Sequence, residues 1–383
     1  MQMPRESGAF CLEANVVRWG LPLTCVSAER GASAPHLHAR RDARRFDPAI
    51  QQAIHPPGDE PGALFCDKST DCVYYKIQLF IEVIVRTPLM ADLDHEFGGQ
   101  HTDLKLSIVE SYLKAFTTAL NRRFPRLIYI DAFAGTGSRT VRVDARAGDL
   151  FEAPVQESVE QRRGSARIAI EVVPHFTKLI FIEQNKRHFR ALEDMAAAHP
   201  DRDIVIIEGD ANVKIQNLLH QMNWNGARAV LFLDPYGMEV EWATLEAIAA
   251  TKSIDLWFLF SLSGLYRQAT RDIRSMDEDK RTAITRILGT NAWEDEIYSE
   301  ETRPGLFGDE LSVRRNADVK GLENYVKRRL ETIFPKVFEP LPLPTEKRPQ
   351  RYSLFCAISN TEPKAIGLAT KIANHILKVG ISS

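Results

Sequence analysis

The chain has 383 residues, 44% hydrophobic and 26% charged, an ordinary profile for a globular protein built as one large α/β domain with additions. A formal charge of −2 excludes a global electrostatic pull toward nucleic acid or anionic membrane and leaves only local basic clusters for such partners. No stretch approaches the roughly twenty apolar residues of a membrane helix, no secretory pattern opens the chain, and five scattered cysteines form no disulfide framework, so a reduced cytoplasmic location is expected.

Residues 1–72 carry no helical or strand period; "GASAPHLHARRDARRF" and "IHPPGDEPGA" are representative. Cys66 and Cys72 stand without a matching pair, which argues against zinc. Residues 73–85, "VYYKIQLFIEVIV", suit a strand or a short helix. The pattern changes at Met90, where a polar start leads through two glycines into a helix. Residues 1–89 therefore read as a poorly ordered N-terminal extension, either a flexible tail or the result of an upstream start codon, and 90–383 as one domain.

From there strands and helices alternate. Leu106, Val109, Leu113, Phe116, Leu120 and Phe124 recur at helical spacing and predict a helix over 103–123, with Thr102 as its cap. A strand at 127–131 follows, then an arginine-rich loop and a short helix at 166–172 capped by Ser165. "KLIFIE" (178–183) is the second strand, with Asn185 capping the next helix. "DIVIIEGD" (203–210), "AVLFLD" (229–234) and "IDLWFLF" (254–260) are three more strands, the first two each followed by an amphipathic helix. Residues 264–334 read as a charged, mainly helical insertion or lid, before two final strands and a helix at 363–378. Short apolar strands alternating with amphipathic helices predict a mostly parallel, seven-stranded, Rossmann-like sheet covered on both faces.

Acids mark four strand ends: Asp131, Glu183, Asp210 and Asp234. In an open parallel sheet ligands bind beyond these ends. Gly135 and Gly137 lack the Cβ atoms that would keep a ligand from the backbone. A nicotinamide fingerprint would place a third glycine where Thr140 stands, and a phosphate-loop run is absent. An acid at the first strand end disfavours a pyrophosphate and suits a cationic or amino-bearing group. S-adenosylmethionine offers an ammonium, a sulfonium, a ribose and an adenine.

"YIDAFAGTGSR", "FIEQN", "EGDAN" and "VLFLDPYG" resemble successive motifs of class I S-adenosylmethionine-dependent methyltransferases. More narrowly, "FGGQHTDLKLSIVESYLKAF" and "LDPYGMEVEWATLEAIA" resemble the three-Cys-motif partner (TcmP) family, over about 96–378. The resemblance implies that Asp131, Phe133, Gly135 and Gly137 line the methionine side of the cofactor, that Glu183 holds its ribose and Asp210 its adenine. Asp234, Pro235 and Tyr236 stand where amino-methylating enzymes carry Asp-Pro-Pro-Tyr, with one proline fewer. They imply methyl transfer to an amine of a nucleobase or other planar substrate; the bland alternative is a rigid turn. The implied partner is a three-cysteine, radical S-adenosylmethionine-like protein, and a second reading makes this chain its non-catalytic binding subunit.

Other features carry two meanings. Arg139, Arg142, Arg146, Arg162, Arg163 and Arg167 could grip phosphates or merely solvate a loop. Trp242 and Trp257 read as packing residues. His175 and His188 lack ligand spacing and read as surface residues, and no metal site is expected.

Overall fold

The computed structural model describes residues 100–143, 158–305, 308–345 and 350–382. The expected N-terminal extension lies outside the described residues, as do the segment 73–85 and the cysteines before it.

Helix α1 (Gln100–Leu120) leads into β1 (Arg126–Asp131). The helix starts earlier than its apolar period suggests, so Thr102 lies in its first turn and does not cap it. The arginine-rich loop is a hairpin, β2 (Ser138–Val143) paired antiparallel with β3 (Ser158–Arg163). Helix α2 (Ser165–Glu171) takes Gly164 as its cap, with Ser165 already inside. Then come β4 (Lys178–Glu183), α3 (Lys186–Ala197), β5 (Ile204–Glu208), α4 (Ala211–Gln221), β6 (Ala227–Leu233), α5 (Trp242–Ala250) and β7 (Ile254–Phe260). Asn185 caps α3 as expected, its side chain accepting from the Arg187 and His188 N–H groups.

The segment after β7 holds α6 (Leu262–Gln268), α7 (Glu278–Leu288), α8 (Trp293–Ile297) and α9 (Val319–Glu331). It also holds a hairpin that the helical reading missed, β8 (Tyr298–Gly305) against β9 (Gly308–Arg315). Met276, Ile284, Ile287, Leu288, Trp293 and Ile297 of this segment are buried in the same core as the sheet. The chain closes with β10 (Lys336–Val337), β11 (Leu341–Leu343), β12 (Tyr352–Ile358) and α10 (Pro363–Ser382).

The main sheet runs β5-β4-β1-β6-β7-β12-β10, with β11 also paired to β12. The five strands from β5 to β7 are parallel, and β12 runs antiparallel to β7. Two short segments share the last place, since both β10 and β11 pair antiparallel with β12. The chain therefore folds as the mostly parallel, helix-covered α/β sheet that the alternation predicts.

Alternating side chains feed two cores, as the pleat requires. Ile128, Ile130, Leu231 and Leu233 face one side with α4, α5, α7 and α9. Leu127, Tyr129, Val230, Phe232 and Trp257 face the other, beneath α1, α2 and α10. Trp242 and Trp257 are both buried, as expected of packing residues. The strand order reverses between β1 and β6, so a crevice opens where the loops after these two strands part.

Candidate active site

The loops after β1 and β6 carry Gly135 and Gly137 on one side of the crevice and Asp234, Pro235 and Tyr236 on the other. Between them lies a cleft of about 390 Å³. Its walls include the glycine loop, the Asp234–Tyr236 stretch, Lys105 of α1 and His188 of α3. A second pocket, about 220 Å³, is lined by Glu183, Gly209, Asp210, Asn212, Glu239 and Arg286. Phe133 and Tyr236 line both, so the two cavities adjoin across these two aromatic rings.

The glycine loop is fixed by backbone bonds. Ala132 N–H donates to Phe232 O at 3.2 Å and Ala134 N–H to Ile182 O at 3.2 Å, extending β1 past its last residue. Gly135 and Gly137 then take φ of 60° and 71°, a left-handed conformation that other residues adopt at a cost. Gly164 N–H donates to Gly137 O at 2.9 Å and ties the base of the β2–β3 hairpin to the loop. A Cβ at Gly164 would lie 2.8 Å from Gly137 C and 2.9 Å from its oxygen, backbone atoms that cannot swing aside. Gly164→Ala is therefore expected to destabilise the fold by about 1–3 kcal/mol through overpacking. Thermal unfolding followed by circular dichroism checks this; an unchanged midpoint would mean that the hairpin base yields freely.

Asp131, which the resemblance places on the methionine side of the cofactor, is fully buried and is not among the cleft-lining residues. The Tyr129 hydroxyl donates to its Oδ2 at 3.3 Å and the Phe133 N–H to its Oδ1 at 3.3 Å. Burial pushes its carboxyl up to about 7, and nearby Asp234 adds to the rise, while hydrogen bonds from Ser165, Phe133 and Tyr129 offset part of it. Ser165 does line the cleft, so Asp131 sits one hydrogen bond behind its wall.

This shift has a stability consequence with a definite sign. An unfolded aspartate titrates near 3.9, whereas folded Asp131 does so at about 7. The contribution of the buried neutral carboxyl is complete below the unfolded value and is lost as pH rises through 7. Asp255 near the start of β7 is likewise raised to about 7 by burial, so total stability cannot isolate either group. Subtraction can. The thermal midpoint of Asp131→Asn minus that of wild type should rise between about pH 4 and 7 and level off above that, and a flat difference would show that Asp131 keeps an ordinary affinity for its proton.

Glu183 is buried and occupied on both oxygens. Gly135 N–H donates to Oε2 at 2.9 Å and Asn185 N–H to Oε1 at 2.7 Å. The carboxylate thus fastens the glycine loop to the start of α3 while lining the smaller pocket. Asp210 caps α4, its Oδ1 accepting from Val213 N–H at 3.0 Å, and it lines the same pocket. Asn212 steadies the opposite wall by donating to Glu239 O at 2.9 Å and accepting from Glu241 N–H at 2.9 Å.

Asp234 has a partner that the linear pattern did not reveal. The Lys105 ammonium donates to its Oδ2, and the Lys105 side chain is only 8% exposed. Tyr236, by contrast, is 78% exposed, an aromatic face standing at the junction of the two cavities. Its hydroxyl is raised above the usual range by partial burial and by the charges of Glu183, Asp234 and Glu239.

Two further residues reach the site unexpectedly. His188, expected at the surface, lines the larger cleft with its Nδ1 3.9 Å from Glu183 Oε2. Arg286 of α7 lines the smaller pocket and donates to Met238 O at 3.3 Å. Of the arginine cluster, two side chains are described, and both form ion pairs. Arg163 pairs with Glu110 and Glu171, and Arg167 with Glu171. Arg139, Arg142 and Arg162 fall on the hairpin strands, and Arg146 lies outside the described residues. Among the described residues no group of three or more His, Cys, Asp or Glu could hold a metal ion, and no helix is long and apolar enough to cross a membrane.

No protein-family model matches the chain, and no curated protein matches it. Solved structures similar to it include a Legionella pneumophila protein, at 13% identity over 75% of this chain and 96% of that one, with a TM-score of 0.40. Another is an S-adenosylmethionine-dependent methyltransferase from Clostridium acetobutylicum, at 12% identity over 74% and 98%, with a TM-score of 0.32. A third is an rRNA methylase from Streptococcus thermophilus, at 11% identity over 59% and 99%, with a TM-score of 0.26. The fold stands on the strand order given above, independently of these likenesses.

Proposed function

We propose that the chain binds S-adenosylmethionine and transfers its methyl group to an amine of a nucleobase or another planar substrate. The observation that carries this reading is the pair of adjoining cavities at the switch point, one lined by Glu183 and Asp210, the other by the glycine loop, Asp234 and Tyr236. The donor set fits the cofactor. Glu183 suits ribose hydroxyls, Asp210 keeps one oxygen for an adenine amine, and close backbone approach at Gly135 and Gly137, beside Phe133, suits the methionine portion. The carboxylates of Glu183 and Asp210 in the smaller pocket suit hydroxyl and amine donors far better than a pyrophosphate.

When bound, the cofactor supplies an electrophilic methyl group on sulfur. The chain's own task is to aim a nitrogen lone pair at it, because in-line displacement tolerates little misalignment. Asp234 is placed to accept an N–H of the substrate amine, and Tyr236 to stack a planar ring. Pro235 holds the turn between them. By its sequence resemblance the chain would work with a three-cysteine, radical S-adenosylmethionine-like partner.

A second reading, a binding subunit without catalysis, gains from one observation: Lys105 already occupies one oxygen of Asp234. Calorimetry with S-adenosylmethionine and S-adenosylhomocysteine, followed by a labelled-methyl screen against nucleic acids, separates the two. Binding with transfer supports the enzyme, binding without transfer supports the subunit, and no binding at millimolar ligand sinks the enzyme reading.

A further inference from the structure

We propose that Lys105 and Asp234 act together as a donor–acceptor pair that reads an amidine edge, an exocyclic N–H beside a ring nitrogen able to accept a hydrogen bond. This rests on the methyltransferase reading and narrows its substrate class to bases whose exocyclic amine adjoins a ring nitrogen acceptor. Lys105 comes from α1, 129 residues before Asp234, and its ammonium is held against Asp234 Oδ2 with the Phe232 ring 5.8 Å away. Both residues line the cleft that contains the glycine loop and Tyr236.

Donor and acceptor counts define what the pair can do. A lysine ammonium has three donors, and one is taken by Asp234. A carboxylate has about four acceptor positions; among the described residues Oδ1 of Asp234 receives no hydrogen bond, so it remains for one substrate N–H. The pair therefore presents an acceptor and a cationic donor side by side, with no net charge to repel a neutral base. Cytosine matches with its N4 amine beside N3, adenine with its N6 amine beside a ring nitrogen, and guanine with its N2 amine beside N3. An amine flanked only by C–H groups offers the remaining ammonium donors no acceptor on the ring and loses that hydrogen bond, which disfavours it. Tyr236 would supply the stacking face for the same ring. Lys105 is thus a specificity residue that touches the substrate, while Asp234 orients the attacking nitrogen.

The test uses the full chain saturated with S-adenosylhomocysteine, so that the adenosine cavity is filled and cannot capture the probe. Binding of 1-methylcytosine and of its 3-deaza analogue is measured by saturation-transfer NMR with titration. Wild type should prefer 1-methylcytosine by about tenfold, Lys105→Arg should retain a preference, and Lys105→Met should lose it at an S-adenosylhomocysteine concentration shown by titration to saturate that variant. Equal binding of the two bases by wild type overturns the inference, as does binding of neither, or a preference that survives in Lys105→Met. If Lys105→Met does not fold, the wild-type comparison and Lys105→Arg still decide. Failure of S-adenosylhomocysteine itself to bind is a different result and removes the underlying functional reading.

Discussion

Glu183→Ala should weaken S-adenosylmethionine binding at least tenfold and lower the thermal midpoint as well. The side chain is 6% exposed and has two structural duties, accepting the Gly135 and Asn185 N–H groups. In the proposed complex it takes a third, the ribose. Hydrogen bonds to a charged group contribute about 1.5–3 kcal/mol each, and buried donors left behind add their own desolvation cost. Alanine removes all three contacts, so loop and ligand loosen together. Glu183→Gln separates them. The amide retains one acceptor oxygen and loses the charge, so it should preserve more stability than affinity. Calorimetry and thermal unfolding on both variants provide the measurement, and unchanged binding in Glu183→Ala would remove the ribose assignment.

What the linear sequence reveals depends on which side chains enter the core. "KLIFIE" and "IDLWFLF" form strands over the very residues expected, because both are near-continuous apolar runs buried on two faces. The β8–β9 hairpin was not legible for the opposite reason. "YSEETRPG" and "GDELSVRR" are mainly polar and carry no alternation that a period-two reading could detect. Strand-end acids were legible because a strand that stops at Asp or Glu announces both its end and its charge. Their depth was not: Asp131 and Glu183 end neighbouring parallel strands, yet one is sealed behind the wall and the other lines a cavity. Lys105 is not among the apolar repeats that predict α1, and spacing alone assigns it no role. Only the laying of α1 over the switch point brings its ammonium to Asp234, and nothing in local spacing encodes that crossing. Arg286 entered the site in the same way, from a segment whose packing against the sheet is a tertiary fact.

Asp234→Asn should separate chemistry from binding. Asparagine keeps the shape of the side chain and an oxygen that Lys105 can still reach, so the loop and the ion pair's geometry survive while the charge is lost. Cofactor affinity should change little, because Glu183 and Asp210 line the neighbouring cavity and Asp234 does not. Methyl transfer should fall by about a hundredfold, the scale of losing one positioned catalytic group. The loss belongs in the transfer step, since a carboxylate that accepts the amine hydrogen matters most as nitrogen begins to bond to carbon. Tyr236→Ala should act differently, weakening substrate binding by removing the exposed ring at the junction of the cavities. Calorimetry for the cofactor, paired with single-turnover transfer to the acceptor found in the screen, distinguishes the two variants. Full transfer by Asp234→Asn would reduce the Asp-Pro-Tyr-Gly stretch to a turn between β6 and α5, and would leave Lys105 balancing a charge that has no part in the reaction.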